Sequence, residues 1–507
     1  SRRQRQMCIR DSFCTLCHKS LENVIQLQYY YKQQIQTDSG MEITMADSQK
    51  GKIDMTTGHI MKNIILFAIP IIIGNVLQQL YTTVDALVIG KYCGDTSLAA
   101  VGTSSQPVEV LLCVFLGIGT GVSILISQYT GARESGKVVS VCGTSITFIY
   151  IIGIPIGILG WFAAPYILEF MKVPQDVWNA ALIYTRVVFL GTLGNLGYNM
   201  NAGILRGLGD SKASLWFLVV SCLSNIVFDL LFVAGFGMDV AGAALSTSIA
   251  MFISWIVSIV YIRKKFPEIQ FTFLPRRFSG TMMKDILAIG LPVGLNNSLY
   301  SLGHVALQTF NNSQGAIFMA GGAVAGRITG CSNIAITGLS SAATTFSGQN
   351  YGAKKYARIR EGHWRIPLCS GLITLSFGLL FIMIHKPIIR FFSSDEMVLM
   401  YASRHVIVML LSQWFYAIFN CIISIVNGTG KVRYTTIVNI LMLWAVRIPS
   451  AYIINRYFDG TWVMLCFPIS FSFGMFAMIG YYLFSPAWKE VMRLAGNKQN
   501  EGEQNLA

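Results

Sequence analysis

The sequence predicts an all-α integral membrane protein, with twelve transmembrane helices in two pseudo-symmetric six-helix bundles. Three observations carry that prediction. Of 507 residues, 53% are apolar and only 12% charged, about half the charge of a soluble domain, and the mean hydropathy is +0.54. Apolar runs of about 18 residues or more recur along nearly the whole chain. Landmarks in one half return in the other at an almost constant offset. A water-soluble enzyme is excluded.

The runs cover 61–84, 106–129, 138–163, 179–204, 213–236 and 241–262, then 284–307, 317–346, 366–385, 402–427, 434–455 and 462–484. Each can cross a hydrocarbon core of about 30 Å as a helix. Lipid leaves the backbone of such a run no other way to satisfy its polar groups. The eighth is the weakest, being Gly-rich, polar and interrupted by Arg327. The chain therefore divides into a polar extension, 1–58, an N-lobe of helices 1–6, 59–262, and a basic linker, 263–283. A C-lobe of helices 7–12, 284–485, and a tail, 486–507, complete it.

Loop charge sets the expected orientation. One alternating set of loops, with the tail, carries 20 Lys and Arg, and the opposite set carries 6. The positive-inside rule then puts both termini and the basic loops in the cytoplasm. The net charge of +14 is membrane topology, not a nucleic-acid footprint. Most of the 11 Cys lie in or beside apolar runs and read as small buried hydrophobes.

The extension has no apolar core of a signal peptide. Its opening residues resemble translated sequencing-adapter sequence, so 1–40 are set aside and the natural start is expected at Met41 or Met45. Cys14, Cys17 and His18 match the c-type haem attachment pattern, and a membrane redox protein is the rival reading of a different class. A haem needs an apolar pocket and a second axial ligand, and this segment offers neither.

The internal repeat is specific. Ala68-Ile69-Pro70 returns as Gly290-Leu291-Pro292, Gln128-Tyr129-Thr130-Gly131-Ala132-Arg133 as Gln349-Asn350-Tyr351-Gly352-Ala353-Lys354, and Gly207-Leu208-Gly209-Asp210 as Gly428-Thr429-Gly430-Lys431. Six spans separate the copies, so the two halves share one topology and are related about an axis along the membrane normal. A cavity is expected between such lobes.

Charge inside a membrane is costly and marks function. Asp85 and Asp229 lie inside spans, whereas Glu109 enters its span near a surface. Counted from the span ends, Asp85, Asp229 and Thr247 all fall in the outer half of the N-lobe. Asn225 and Asp229 are four apart on one helix face. Two carboxylates in one low-dielectric site resist double ionisation, so the pair takes up a proton, or Na⁺ on the same carboxylate, amide and hydroxyl oxygens. The other lobe has Arg447, His304 and Arg327, read as buried donors bonding to backbone carbonyls. No phosphate-binding loop occurs, since Gly428-Thr429-Gly430-Lys431-Val432 lacks the spacing and the hydroxyl. Transport would run on an ion gradient, with no ATPase subunit.

Over about residues 58–490 these landmarks resemble the multidrug and toxic compound extrusion family. They include Val84-Asp85-Ala86-Leu87-Val88-Ile89-Gly90, Leu205-Arg206-Gly207-Leu208-Gly209-Asp210, Asn225-Ile226-Val227-Phe228-Asp229 and Trp444-Ala445-Val446-Arg447-Ile448-Pro449. The resemblance implies two six-helix bundles around a cavity, and antiport of small organic, often cationic, compounds against H⁺ or Na⁺ by alternating access. It implies ion coupling at Asp85, Asn225, Asp229 and Thr247, with Na⁺ as one candidate occupant, and a conformational hinge at Pro70 in helix 1. The stretch Asn296-Asn297-Ser298-Leu299-Tyr300-Ser301 lacks the helix-7 glutamate of the NorM-like branch, so the chain is closer to the DinF-like branch. The expected setting is a bacterial inner membrane, multi-pass. The expected partners are an organic substrate and lipid, with no nucleic acid and no cofactor beyond the coupling ion, in a monomer. A lipid-linked saccharide flippase of the same superfamily is the alternative.

Overall fold

A computed structural model describes residues 52–171, 173–275 and 277–504, with backbone alone for parts of 95–111 and for 496–504. Cys14, Cys17 and His18 lie outside the described residues. The first lobe holds α1 (Ile60–Tyr92), α2 (Asp95–Gly131), α3 (Ser135–Phe170), α4 (Gln175–Leu208), α5 (Ser211–Asp229) and α6 (Asp239–Lys265). The second holds α7 (Gly280–Asn312), α8 (Ala316–Gly352), α9 (Tyr356–Phe392), α10 (Glu396–Gly428), α11 (Val432–Ile440, continued through Leu441–Arg447 to Tyr457) and α12 (Cys466–Phe484). A final helix, α13 (Pro486–Gln504), docks by its buried Trp488, Val491 and Ala495.

The helices outrun the apolar stretches that announce them. α2 begins at Asp95, whereas its apolar run begins at 106, and α8 continues unbroken through Arg327. Ten of the helices are long and apolar enough to cross a membrane by composition; α7 and α8 are equally long but more polar. Both pack against the first lobe, α7 on α2 and α8 on α1 and α2, so less of their surface has to satisfy lipid.

The repeat is visible in the backbone. Gly94 and Gly315 precede α2 and α8 at φ +88° and +91°. Arg133 and Lys354 follow the same helices at φ 58° and 56°, and Gly209 and Gly430 end α4 and the α10 turn at φ +94° and +83°. Beside Gly209, Asp210 caps α5 by accepting from the Ala213 amide at 3.1 Å and holds Lys265 and Tyr261 of α6 at 2.8 Å each. That is the physical content of Gly-Leu-Gly-Asp: a left-handed stop, then an N-cap.

The lobes meet over the half of the molecule nearer the basic loops. A Cβ on Gly131 would stand 1.9 Å from the Gln349 carbonyl oxygen, and one on Gly352 would stand 1.8 Å from the Gln128 oxygen. Gly117 and Gly121 of α2 face Gly294 and Gly290 of α7, where an added Cβ would stand 2.1 and 2.7 Å from the facing backbone. Two reciprocal hydrogen bonds cross the pseudo-axis, Gln128 Nε2 to the Gly428 oxygen at 2.8 Å and Gln349 Nε2 to the Gly207 oxygen at 3.1 Å. In the opposite half, a Cβ on Gly102, Gly326 or Gly330 would meet nothing within 4 Å.

Residues 52–58 form a strap over the closed end. The Ile53 amide donates to the Gly209 oxygen at 3.0 Å in the first lobe, and the Met55 amide donates to Gln349 Oε1 at 3.0 Å in the second. Asn350 and Arg358 donate to the Met55 oxygen, and Lys355 donates to the Thr56 oxygen. The Met55 side chain is fully buried in the second lobe's core. The inter-lobe linker instead lies along α3, where Tyr150 and Thr147 donate to the oxygens of Phe273 and Arg277.

Candidate functional site

Three helices of the first lobe bring four predicted residues together at the end away from the basic loops. Asp85 comes from the last third of α1, Asn225 and Asp229 from adjacent turns of α5, and Thr247 from α6. Asn225 Nδ2 donates to Thr247 Oγ1 at 3.2 Å. The Asp85 and Asp229 carboxyls are close enough to act on one another electrostatically, and the Ser246 hydroxyl nearby donates to the Gly242 oxygen at 2.8 Å. Asn225 and Asp229 are buried, at 2% and 0% exposure.

The acceptors of this cluster lack donors. Asp85 Oδ1, both Asp229 carboxyl oxygens and Asn225 Oδ1 are buried with no hydrogen-bond partner. A buried acceptor left unpaired costs about 1–3 kcal/mol, more for a charge, and two adjacent carboxylates repel when both are ionised. One proton shared between the acids, or one small cation among these oxygens, relieves both costs. The donor set, two carboxylates with an amide and a hydroxyl, suits a hard cation. Among the described residues no group of three or more His, Cys, Asp or Glu gathers as a metal cluster would.

Directly after Asp229 the helix widens. Leu230–Gly235 forms a π-turn, in which the Phe236 amide reaches back to the Leu231 oxygen at 2.9 Å. Such single wide turns are frequent at functional sites. Here the turn leaves Asp229 at the junction between the two helical geometries.

A cavity of about 530 Å³ lies within the same lobe, lined by α1, α2, α4, α5 and α6. Pro70, Asn75, Gln78 and Tyr81 of α1 contribute to its wall, as do Tyr184, Asn195, Asn199 and Arg206 of α4. Thr247 belongs to both the wall and the acid cluster, so the cavity and the carboxyls share one hydroxyl. Pro70 is buried inside a continuous α1. Its missing N–H leaves the Leu66 carbonyl without the usual helical donor, the local weakness a bend requires.

The second lobe places a cation close to the repeat position of the first lobe's Asn225. Arg447, within one residue of the repeat position of Asn225, is fully buried in the wide turn Leu441–Arg447. It does not bond to backbone carbonyls, as sequence reasoning expects. Arg447 Nε donates to Ser470 Oγ at 2.9 Å and Nη1 to the Tyr300 hydroxyl at 3.3 Å. Its guanidinium also sits over the rings of Phe467 and Phe471, 4.9 Å from each centroid. His304 packs edge-on against Tyr300, and Arg327 lies over Phe392. Aromatic faces do here the work assigned to carbonyls.

Sequence reasoning misses most of the cavity wall. Arg206 reads as loop charge because it stands beside the Gly-Leu-Gly-Asp turn, yet it lines the cavity. A signal was present: Asn195, Asn199, Ala202 and Arg206 recur at spacings of four, three and four, one face of a helix.

A family model described as MatE matches residues 70–231 and again residues 292–453. The chain is 28% identical over 447 residues to the probable multidrug resistance protein YoeA of Bacillus subtilis, covering 85% of this chain and 95% of that one. A crystal structure of MATE in complex with MaD3S superposes with a TM-score of 0.79 at 24% identity, over 89% of this chain and 99% of that one. An outward-facing multidrug resistance MATE family transporter of the MOP superfamily gives a TM-score of 0.77 at 24% identity and the same coverage.

Proposed function

The chain belongs to the MatE family of multi-pass membrane transporters, and on that premise we propose that it is a secondary antiporter exporting small organic molecules in exchange for H⁺ or Na⁺. The proposed setting is a bacterial inner membrane, with the basic loops and both termini cytoplasmic. The transported molecule occupies the first-lobe cavity, and the coupling ion occupies Asp85, Asn225, Asp229 and Thr247. One observation carries the reading. Four buried acceptor oxygens on α1 and α5 stand without donors, next to a cavity of about 530 Å³.

The cycle follows from those contacts. With the acids ionised, their repulsion and the unpaired acceptors favour a looser packing of α1 against α5. A cation arriving from the outer side neutralises them and tightens that packing. α1 answers around Pro70, its helical hydrogen bonding weakest there, and the cavity contracts around Asn75, Gln78 and Tyr81. Cargo leaves outward. Opening at the other end requires the Gln128 and Gln349 bonds and the strap to part, so the lobes present one mouth at a time. The chain is not an enzyme, and it holds no cofactor through this cycle.

Everted vesicles carrying the protein test this. Gradient-driven efflux of a fluorescent organic cation is expected in wild type and lost in Asp85→Asn and Asp229→Asn. Full efflux from both variants rules the coupling site out.

A further inference from the structure

Resting on the reading that cargo occupies the first-lobe cavity, we propose that Arg206 anchors an anionic group of that cargo, so that the transporter takes carboxylate-bearing, zwitterionic organic molecules. The carboxylate lies at the end of the cavity nearer the basic loops.

The observation is a guanidinium on the wall of a half-open cavity, with no acid paired to it among the described residues. Arg206 lines the cavity, while its neighbours Leu205 and Leu208 are buried at 0% and 4% exposure. The titratable group that faces it is Tyr198, an uncharged phenol at neutral pH. The nearest carboxylate along the chain, Asp210, is already engaged by the Ala213 amide, Tyr261 and Lys265. Arg206 is half-buried, and a cation held partly away from water without an anion is costly. Inside a membrane protein such a group usually marks a substrate path.

Arg206 also sits at the end of a polar stripe. Asn199 and Asn195, about two and three turns along α4, line the same wall, and Asn199 Nδ2 donates to Asn195 Oδ1 at 2.9 Å. Between Tyr184 near the outer end and Arg206, α4 spans about 33 Å of cavity wall. Thr247, the hydroxyl shared with the acid cluster, lines the outer part. The cavity is therefore bipolar: acids beyond one end, a guanidinium at the other. Its volume lies in the range of sites for drug-sized molecules, and a guanidinium fork matches a carboxylate through two parallel hydrogen bonds.

Binding of rhodamine B, which carries one carboxylate, and of its ethyl ester, which carries none, tests this on detergent-purified full-length protein. Wild type is expected to bind the acid at least about tenfold more tightly than the ester, the equivalent of one charge-assisted hydrogen-bonded pair. Arg206→Gln should erase that preference by weakening the acid alone. Arg206→Lys, which keeps the charge but not the fork, should keep part of it and covers the case in which Gln at a half-buried site prevents folding. Equal affinities in wild type, or a preference that survives Arg206→Gln, overturn the proposal and make Arg206 a structural helix-end cation. Ala202→Phe, which fills the cavity, should remove binding of both dyes. Undiminished binding there would instead overturn the cavity as the cargo site, and this inference with it.

Discussion

The two lobes share a scaffold and differ in what they bury. At neighbouring repeat positions, the first lobe holds Asn225 and Asp229 with Asp85 beside them, and the second holds Arg447 among Tyr300, Phe467 and Phe471. Both sites lie at wide helical turns, Leu230–Gly235 and Leu441–Arg447. The acids leave three acceptors empty and Asn225 a fourth, whereas Arg447 leaves only Nη2 unpaired and has two hydroxyl partners and three ring faces. A site short of donors invites a mobile cation; a site already filled by aromatic rings holds its charge in place. The difference teaches that symmetry of fold does not make symmetry of buried charge.

The largest effect should come from emptying the acid site of charge. Asp229→Asn or Asp85→Asn is expected to cut gradient-driven efflux at least about a hundredfold, in proportion to a lost coupling step. Thermal stability in detergent should hold or rise, because an unpaired buried carboxylate is removed. A second-lobe variant with the same phenotype would break the comparison.

Arg447→Ala supplies that contrast. It leaves a void among three rings and strands the Ser470 and Tyr300 hydroxyls, at a cost of about 3 kcal/mol. The expected readout is a lower melting temperature and less folded protein, with efflux per folded molecule near wild type. Arg447→Met, which keeps most of the volume, should recover most of the stability. Loss of coupling with stability intact would instead make the second lobe part of the ion machinery.

Smaller effects should follow at the hydroxyl that joins cavity and acids. Thr247→Val keeps the shape but strips the acceptor for Asn225 Nδ2, and a loss of about 1 kcal/mol should weaken ion dependence about fivefold. Smaller still, the crossing bonds of the basic end contribute about 1 kcal/mol each. Gln349→Ala also frees the Met55 amide, so it should open that end more than Gln128→Ala does. Labelling of a cysteine placed at Ser127, buried where the lobes meet, measures the difference.

The sequence carried the membrane class, the helix order and the repeat because hydropathy and loop charge are one-dimensional signals. It gave α8 its weakest reading for a physical reason: Gly-rich and polar, that helix packs on α10 of its own lobe and on α1 and α2 of the other. The meeting of Asp85 with Asp229 was anticipated only by counting depth, since they come from helices over a hundred residues apart. The strap at 52–58 left no pattern, because its bonds use backbone atoms of Ile53, Met55 and Thr56 that any residues supply. Arg206 was hidden by its place at the edge of a basic loop. The aromatic cage of Arg447 was hidden because rings on α7 and α12 look like ordinary packing until they are seen around one guanidinium.

The central claim is that the Asp85–Asp229 pair holds one exchangeable small cation. The direct test is cation uptake by purified protein in detergent, measured as bound ²²Na⁺ and as protons taken from unbuffered solution. Wild type should take up one or the other at about one per molecule, and the Asp85→Asn/Asp229→Asn double variant should take up neither. Equal uptake by both proteins would contradict the account.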